Sequence, residues 1–198
     1  AFPIYPSGDV EQTKRQLEYC QQVGLKAFIY DRRMSTNFSE SLKAGLDGMI
    51  KDYSSYPALA GYFICDEPWG GAFPSLGKIT EYLREKDPKH PGYINLLPTY
   101  VRSVNAAAMG YPTYEEFVRK YVEIVKPFAI SYDHYSFHKG GDGPEFFENL
   151  ATVRKVGLET HTPFWNIVQL TQWADMRDLT EPELRWEAMQ SLAYGFKG

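Results

Sequence analysis

Cysteine is nearly absent from the chain: of 198 residues only Cys20 and Cys65 carry a thiol. Two isolated cysteines in different predicted elements make neither a disulfide framework nor a zinc site, and both are read as small buried apolar groups. No apolar run reaches the roughly 20 residues needed to cross a bilayer. No signal peptide is recognisable, and the sequence starts at Ala1, as a processed or excised piece does. Positive charge is not in excess, since 21 Lys and Arg face 25 Asp and Glu for a formal net charge of −4. That balance speaks against nucleic acid or an anionic membrane as partner. The four histidines include one His-x-x-x-His spacing, His134 to His138, but no compact acidic cluster joins it, and neither a metal nor another cofactor is expected. No linker or low-complexity segment divides the chain, which is read as one domain over 1–198.

Aromatic residues are abundant instead: 15 Tyr, 12 Phe and 4 Trp, 16% of the chain. Most must pack a core, but flat rings at strand ends also stack on the apolar faces of sugars.

Apolar runs and helical patterns alternate. Asp9 caps a helix expected over Val10 to Val23, which Gly24 stops. A strand over Gly24–Asp31 follows, then a helix from Phe38 to Tyr53 and a strand over Ala60–Cys65. The next helix runs from Phe73 to Glu85, and the turn at Pro88 and Pro91 leads to a strand over Gly92–Leu97. Thr113 with Glu116 is a capping-box pattern. Strands over Phe128–Asp133 and Pro163–Gln169 flank a helix from Pro144 to Val156. Thr180, with Pro182 in the first turn, opens a last helix to Tyr194, and Phe196 starts a further strand. Ala1 to Tyr5 trails out of another strand.

Strands alternating with helices every 30 residues or so indicate βαβ units and a parallel sheet. A complete (β/α)8 barrel takes about 250 residues. The expected fold is therefore α/β, a TIM barrel lacking its first strand and its last strand and helix. An open doubly wound sheet is the weaker alternative, because no glycine-rich phosphate loop follows any strand. An incomplete barrel exposes strand edges and part of its core, so self-association or complementation by the missing segments is expected.

In a barrel the carboxyl ends of the strands converge on one mouth, where the chemistry sits. The most informative end is Gly61-Tyr62-Phe63-Ile64-Cys65-Asp66-Glu67-Pro68, an apolar climb that finishes on two carboxylates and a proline. Asp31, Asn95 and Tyr100, Asp133, His134 and Tyr135, and Gln169 and Trp173 stand at other strand ends, with Trp69 just past the acidic pair. Carboxylates, amides and aromatic faces in one ring suit a polyhydroxylated ligand, an oligo- or polysaccharide. Glu67 is the candidate general acid and Asp133 the candidate partner carboxylate. Asp31, Asp66, Trp69, Asn95, Tyr100, His134, Tyr135, Gln169 and Trp173 are candidate substrate-binding residues. Asp31-Arg32-Arg33 reads equally as a substrate-binding group or as an ion-pair layer at the rim.

Asp66-Glu67-Pro68 resembles the Asn-Glu-Pro signature of the clan A (β/α)8 glycoside hydrolases, with Asp in place of Asn. The runs Pro57-Ala58-Leu59-Ala60-Gly61-Tyr62, Tyr93-Ile94-Asn95-Leu96-Leu97-Pro98 and Ser131-Tyr132-Asp133-His134-Tyr135 are similar to bacterial barrel glycosidases, as is the ending Leu192 to Gly198. The resemblance implies a hydrolase of glycosidic bonds with Glu67 as acid/base at the end of the fourth barrel strand. It also implies a secreted or periplasmic location. It further implies a nucleophilic Glu at the end of strand seven, yet the segment Pro163–Gln169 has none, and Gln169 stands about where that carboxylate belongs. Three readings follow: a disarmed retaining enzyme, an enzyme using another carboxylate such as Asp133, or a carbohydrate-binding barrel that does not cleave.

Overall fold

Side chains at the element ends decide where each helix starts. In the computed structural model, which describes residues 2–4, 9–101, 107 and 109–198, Asp9 accepts the N–H of Gln12 at 2.6 Å and opens α1, Val10–Gln22. Ser39 accepts the N–H of Leu42 and opens α2, Glu40–Tyr53. The third helix, α3, Phe73–Lys86, carries Pro74 in its first turn. Thr113 Oγ1 accepts the N–H of Glu116 at the start of α4, Tyr114–Val125. Helix α5 is Phe146–Glu159 and α6 is Glu181–Ala193, the latter opened by a capping box between Thr180 and Glu183. These caps satisfy first-turn N–H groups that have no partner inside a helix. No described helix is long and apolar enough to cross a membrane.

Six strands intervene: β1 Phe2–Ile4, β2 Ala27–Ile29, β3 Leu59–Asp66, β4 Gly92–Leu96, β5 Ile130–Asp133 and β6 Phe164–Ile167. They lie in chain order in one sheet, and the pairings of β1 with β2, β2 with β3, β4 with β5 and β5 with β6 are parallel. Parallel neighbours in strict sequence order, joined by helices, are the arrangement of an incomplete (β/α)8 barrel. At the C-terminus Lys197 N–H donates to the Phe164 carbonyl, and Asn166 N–H donates to that of Gly198. Residues 196–198 are not the strand expected from Phe196 onward, but these two bonds run them alongside β6. Ala1 and Tyr5 lie outside the described residues.

Several strands are shorter than their apolar runs, for local reasons. Gly24, at φ 72°, turns the chain out of α1 and Leu25 N–H returns to the Cys20 carbonyl, so β2 starts only at Ala27. Lys126 at φ 50° makes a similar turn before β5. β6 ends at Ile167 because the N–H of Gln169 leaves the ladder for the carboxylate of Glu187 at 3.1 Å. The helix from Pro144 begins two residues later, at Phe146. Cys20 and Cys65 are half-buried, where the sequence reading predicts both buried.

The chain forms two compact units. The first holds residues 1–65, 72–94 and 124–128. Its core is aromatic and aliphatic, with Phe28, Tyr62, Phe63 and Tyr93 buried from the strands and Leu17, Leu46, Met49, Leu76 and Leu83 from the helices. Phe28 stacks on Tyr93 at 4.8 Å and on Phe128 at 5.8 Å. Gly61 is required here, since a Cβ would sit 2.2 Å from the Pro91 carbonyl oxygen and 2.7 Å from the Phe28 ring. The second unit holds residues 66–71, 95–123 and 129–198. Its core includes Leu96, Phe117, Tyr121, Ile130, Tyr132, Leu150, Val153 and Phe164.

Candidate functional site

Ten of the eleven residues singled out from the sequence belong to the second unit. β3 delivers Asp66 at its last position, and the chain then turns sharply at Glu67, whose φ of 44° places a non-glycine residue in the left-handed region. Such a backbone costs on the order of 1 kcal/mol and persists where its surroundings impose it. Here Glu67 N–H donates to the Asn95 carbonyl at 2.8 Å, and Pro68 follows. The turn separates the two acidic side chains: Asp66 is exposed and Glu67 half-buried.

β4 places Asn95, buried, between two of the carboxylates. Its Nδ2 donates to Asp133 Oδ1 at 2.6 Å and to Asp66 Oδ1 at 3.1 Å, while its Oδ1 accepts from Ser131 Oγ at 3.1 Å. β5 ends on Asp133, 8% exposed, which also bonds the Tyr135 hydroxyl. Burial, then the charges of Asp133 and Asp66, push the Glu67 carboxyl up to about 7. Burial pushes Asp133 up to about 6, opposed by the Asn95 bond and reinforced by Asp66. The two interact, so they titrate as a pair. Near neutral pH one proton is therefore available at Glu67 while Asp133 is largely ionised. Two carboxyls with separated pKa values are the equipment of general acid–base chemistry.

Tyr100 and Tyr135 stand close to the pair. Tyr100 is raised above its ordinary value by burial and by the charges of Asp133, Glu67 and Asp175, and Tyr135 by burial and Asp133. Tyr100 meets the His134 ring edge to face at 5.2 Å, and Tyr135 meets Trp173 likewise at 4.5 Å. Trp173 and Trp69 are among the more exposed large apolar side chains, at 43% and 42%. His134 is 1% exposed, and its Nδ1 lies 3.0 Å from Asn149 Oδ1. A cavity of about 400 Å³ is lined by Tyr100, His134, Tyr135, His138, Glu145 and Asp175, among others.

The structure gives Gln169 a different setting from a free amide at a mouth. It is fully buried, its Nε2 donates to the Arg177 carbonyl at 2.9 Å, and its Oε1 accepts from Phe137 N–H at 3.4 Å. Both ends of the amide hold loop backbone. Asp31 belongs to the first unit, where Arg33 binds it through Nε and Nη2 at 2.9 and 2.7 Å and the Tyr53 hydroxyl donates at 2.7 Å. Burial alone would raise that carboxyl, but these bonds hold it below its ordinary value. Arg33 Nη1 also pairs with Asp52 at 2.7 Å, the geometry of an ion-pair layer.

Two residues escaped the sequence reading. Asn149, fully buried in the first turn of α5, joins Thr99, Tyr114 and His134. Its only signal is a polar side chain one position before Leu150 on an otherwise apolar helix face. Glu187 on α6 is also fully buried; burial pushes it up to about 7, and only its Oε2 is bonded, to Gln169 N–H. A carboxylate two positions from the exposed Arg185 gives no sequence sign of burial.

No protein-family model matches the chain, and no curated protein matches it. Solved structures do. Over 97% of its length the chain matches 63% of a Bacteroides thetaiotaomicron protein described as a candidate alpha-L-fucosidase, with a TM-score of 0.69 and 14% identity. Over 97% of its length it matches 24% of a calcium-binding mutant of Bacteroides uniformis beta-glucuronidase 2, with a TM-score of 0.55 and 13% identity. Over 82% it matches 20% of a Bacteroides uniformis beta-glucuronidase, with a TM-score of 0.50 and 13% identity. The chain spans less than two thirds of the length of each of these structures. At such identities the likeness is one of fold, and the chain has the incomplete α/β barrel fold found within these glycosidase structures.

Proposed function

We propose that the chain is the catalytic part of a glycoside hydrolase, with Glu67 as general acid and Asp133 as general base. The observation that carries this reading is the pair itself: two interacting carboxyls at the ends of β3 and β5, one held up to about 7 and the other to about 6. Glu67 gives its proton to the glycosidic oxygen as the bond to the anomeric carbon breaks. Asp133 takes a proton from the water that attacks the same carbon from the opposite face. Asn95 fixes the Asp133 carboxylate with its 2.6 Å bond. Asp66, Tyr100, Tyr135 and the rings of Trp69 and Trp173 contact the sugar by hydroxyl bonding and stacking. The fold neighbours, whose descriptions name a fucosidase and glucuronidases, support the class of reaction.

The decisive experiment is hydrolysis of an aryl-glycoside and oligosaccharide panel by the chain and by its Glu67→Gln and Asp133→Asn variants. Both substitutions are expected to lower kcat by 10²-fold or more. Aryl glycosides with good leaving groups should be partly spared by Glu67→Gln, because they need no protonation. Full activity in both variants would remove the proposal.

A second reading has its own observation: β6 and the residues to Gln169 carry no carboxylate, and the Gln169 amide is locked onto backbone. In that reading the barrel binds a carbohydrate and does not cleave it. Sugar binding that survives Glu67→Gln, with no turnover by the unaltered chain, would select it.

A further inference from the structure

We propose that the cavity of about 400 Å³ beside the carboxyl pair is a subsite for a neutral, hydroxyl-bearing sugar ring. In it, His134 reads a hydroxyl through Nε2, held as an acceptor by Asn149. The inference rests on the carbohydrate reading above and adds the class of sugar.

The argument begins at Thr99. Its backbone N–H lies 2.8 Å from Asn149 Oδ1, and a backbone N–H only donates, so the amide atom facing it is the oxygen. That same oxygen lies 3.0 Å from His134 Nδ1. An amide oxygen only accepts, so Nδ1 carries the proton. The Asn149 amide cannot turn over, because Nδ2 is engaged with the Tyr114 hydroxyl at 3.3 Å, which in turn donates to the Leu97 carbonyl at 2.7 Å. Burial keeps the imidazole below its ordinary value, hence neutral with a single proton. The nitrogen left to meet a ligand is Nε2, with its lone pair.

The cavity's other imidazole is already used. His138 Nδ1 is 3.0 Å from Asp175 and Nε2 is 3.0 Å from the Tyr135 carbonyl. His134 is thus the lining histidine with a nitrogen to offer. An acceptor nitrogen takes a hydroxyl proton and gives nothing to a carboxylate. Glu145 and Asp175 line the same cavity, and the charges of Asp133 and Asp175 reach Tyr100 in its wall. A uronate would enter against both the lone pair and these charges. The volume lies within the roughly 300–1,000 Å³ of small-molecule sites, and Tyr135, bonded to Asp133, joins the cavity to the reacting pair.

Two measurements on the folded chain test this. In the chain labelled with 15N-histidine, one imidazole at pH 7 should show Nδ1 protonated and Nε2 bare, and His134→Gln should remove that signal. A His134 signal protonated at Nε2 would overturn the assignment. Binding is read by titration with methyl glucoside, galactoside and fucoside against methyl glucuronide, in the Glu67→Gln background so that nothing is turned over. At least one neutral glycoside should bind ten-fold or more tighter than the glucuronide, and His134→Phe should weaken it by about ten-fold, one hydrogen bond's worth. Asn149→Asp keeps an acceptor for Thr99 but favours the imidazolium, turning Nε2 into a donor. It should shift selectivity about ten-fold toward the glucuronide. Equal or preferred glucuronide binding by the Glu67→Gln chain with His134 and Asn149 intact would overturn this inference alone, leaving the glycosidase reading standing. Failure to bind any sugar would overturn both.

Discussion

Glu67 shows how much one residue is asked to do here. It takes a left-handed backbone, gives its N–H to the Asn95 carbonyl and keeps its carboxyl in partial burial next to two other acids. The proposed reaction needs Glu67 protonated and Asp133 ionised. The rate should therefore follow a bell with apparent limbs near about 6 and about 7, rising as Asp133 loses its proton and falling as Glu67 does. A pH series of kcat/KM checks this, and Asp133→Asn should remove the acid limb. Stability carries the same signature with its own sign. Both carboxyls are harder to ionise folded than unfolded, so the folded chain keeps protons the unfolded chain has released. Their contribution is intact below the ordinary values of 3.8 and 4.5 and is lost as pH rises through about 6 and about 7. Glu67→Gln is expected to stabilise the chain at pH 8 by about 1–2 kcal/mol after allowance for partial exposure, and hardly at all at pH 4. Thermal melts of both proteins at the two pH values decide it.

Among the elements, β3 has the tightest constraint. It crosses the first unit with Gly61 pressed on the Pro91 carbonyl oxygen and the Phe28 ring. A methyl group there meets backbone, which cannot rotate away. Gly61→Ala should cost about 1–3 kcal/mol, read as a lowered denaturant midpoint at unchanged slope. α6 is unusual in the opposite sense. Its buried residues are Glu187 and Ser191, while Trp186, Met189 and Leu192 are exposed at 37%, 58% and 61%. The Thr180 cap and Pro182 in the first turn predict α6 and where it starts, but its buried side is polar. The reason is specific: Glu187 supplies the acceptor for Gln169 N–H, and Asn166 Nδ2 donates to Ser191 Oγ at 2.9 Å. Polar strand-end groups recruited polar helix partners, leaving the apolar ones outside.

For the whole molecule, that apolar α6 surface predicts association. A second copy of the chain is the expected cover, and Met189→Lys with Leu192→Lys should shift the weight-average mass in light scattering toward the monomer. A monomeric unaltered chain at tens of micromolar would count against it. Charge offers no obstacle, since the net charge is only −4.

The sequence by itself determined the elements and their order. Caps at Asp9, Ser39, Thr113 and Thr180 and the recurrence of strand and helix are local, and local patterns are legible in one dimension. It also brought Asp66, Glu67, Asn95 and Asp133 into view, because consecutive parallel strands must place their carboxyl ends side by side. Only the tertiary structure decided what each group does there. Asn95 bridges two carboxylates, Asp31 is consumed by Arg33 and Tyr53, and Gln169 is spent on loop backbone. Asn149, far from any motif, sets the proton on His134. Those outcomes depend on desolvation and on partners 2 to 50 positions away in sequence, and which partner each group meets is not encoded in residue type or spacing.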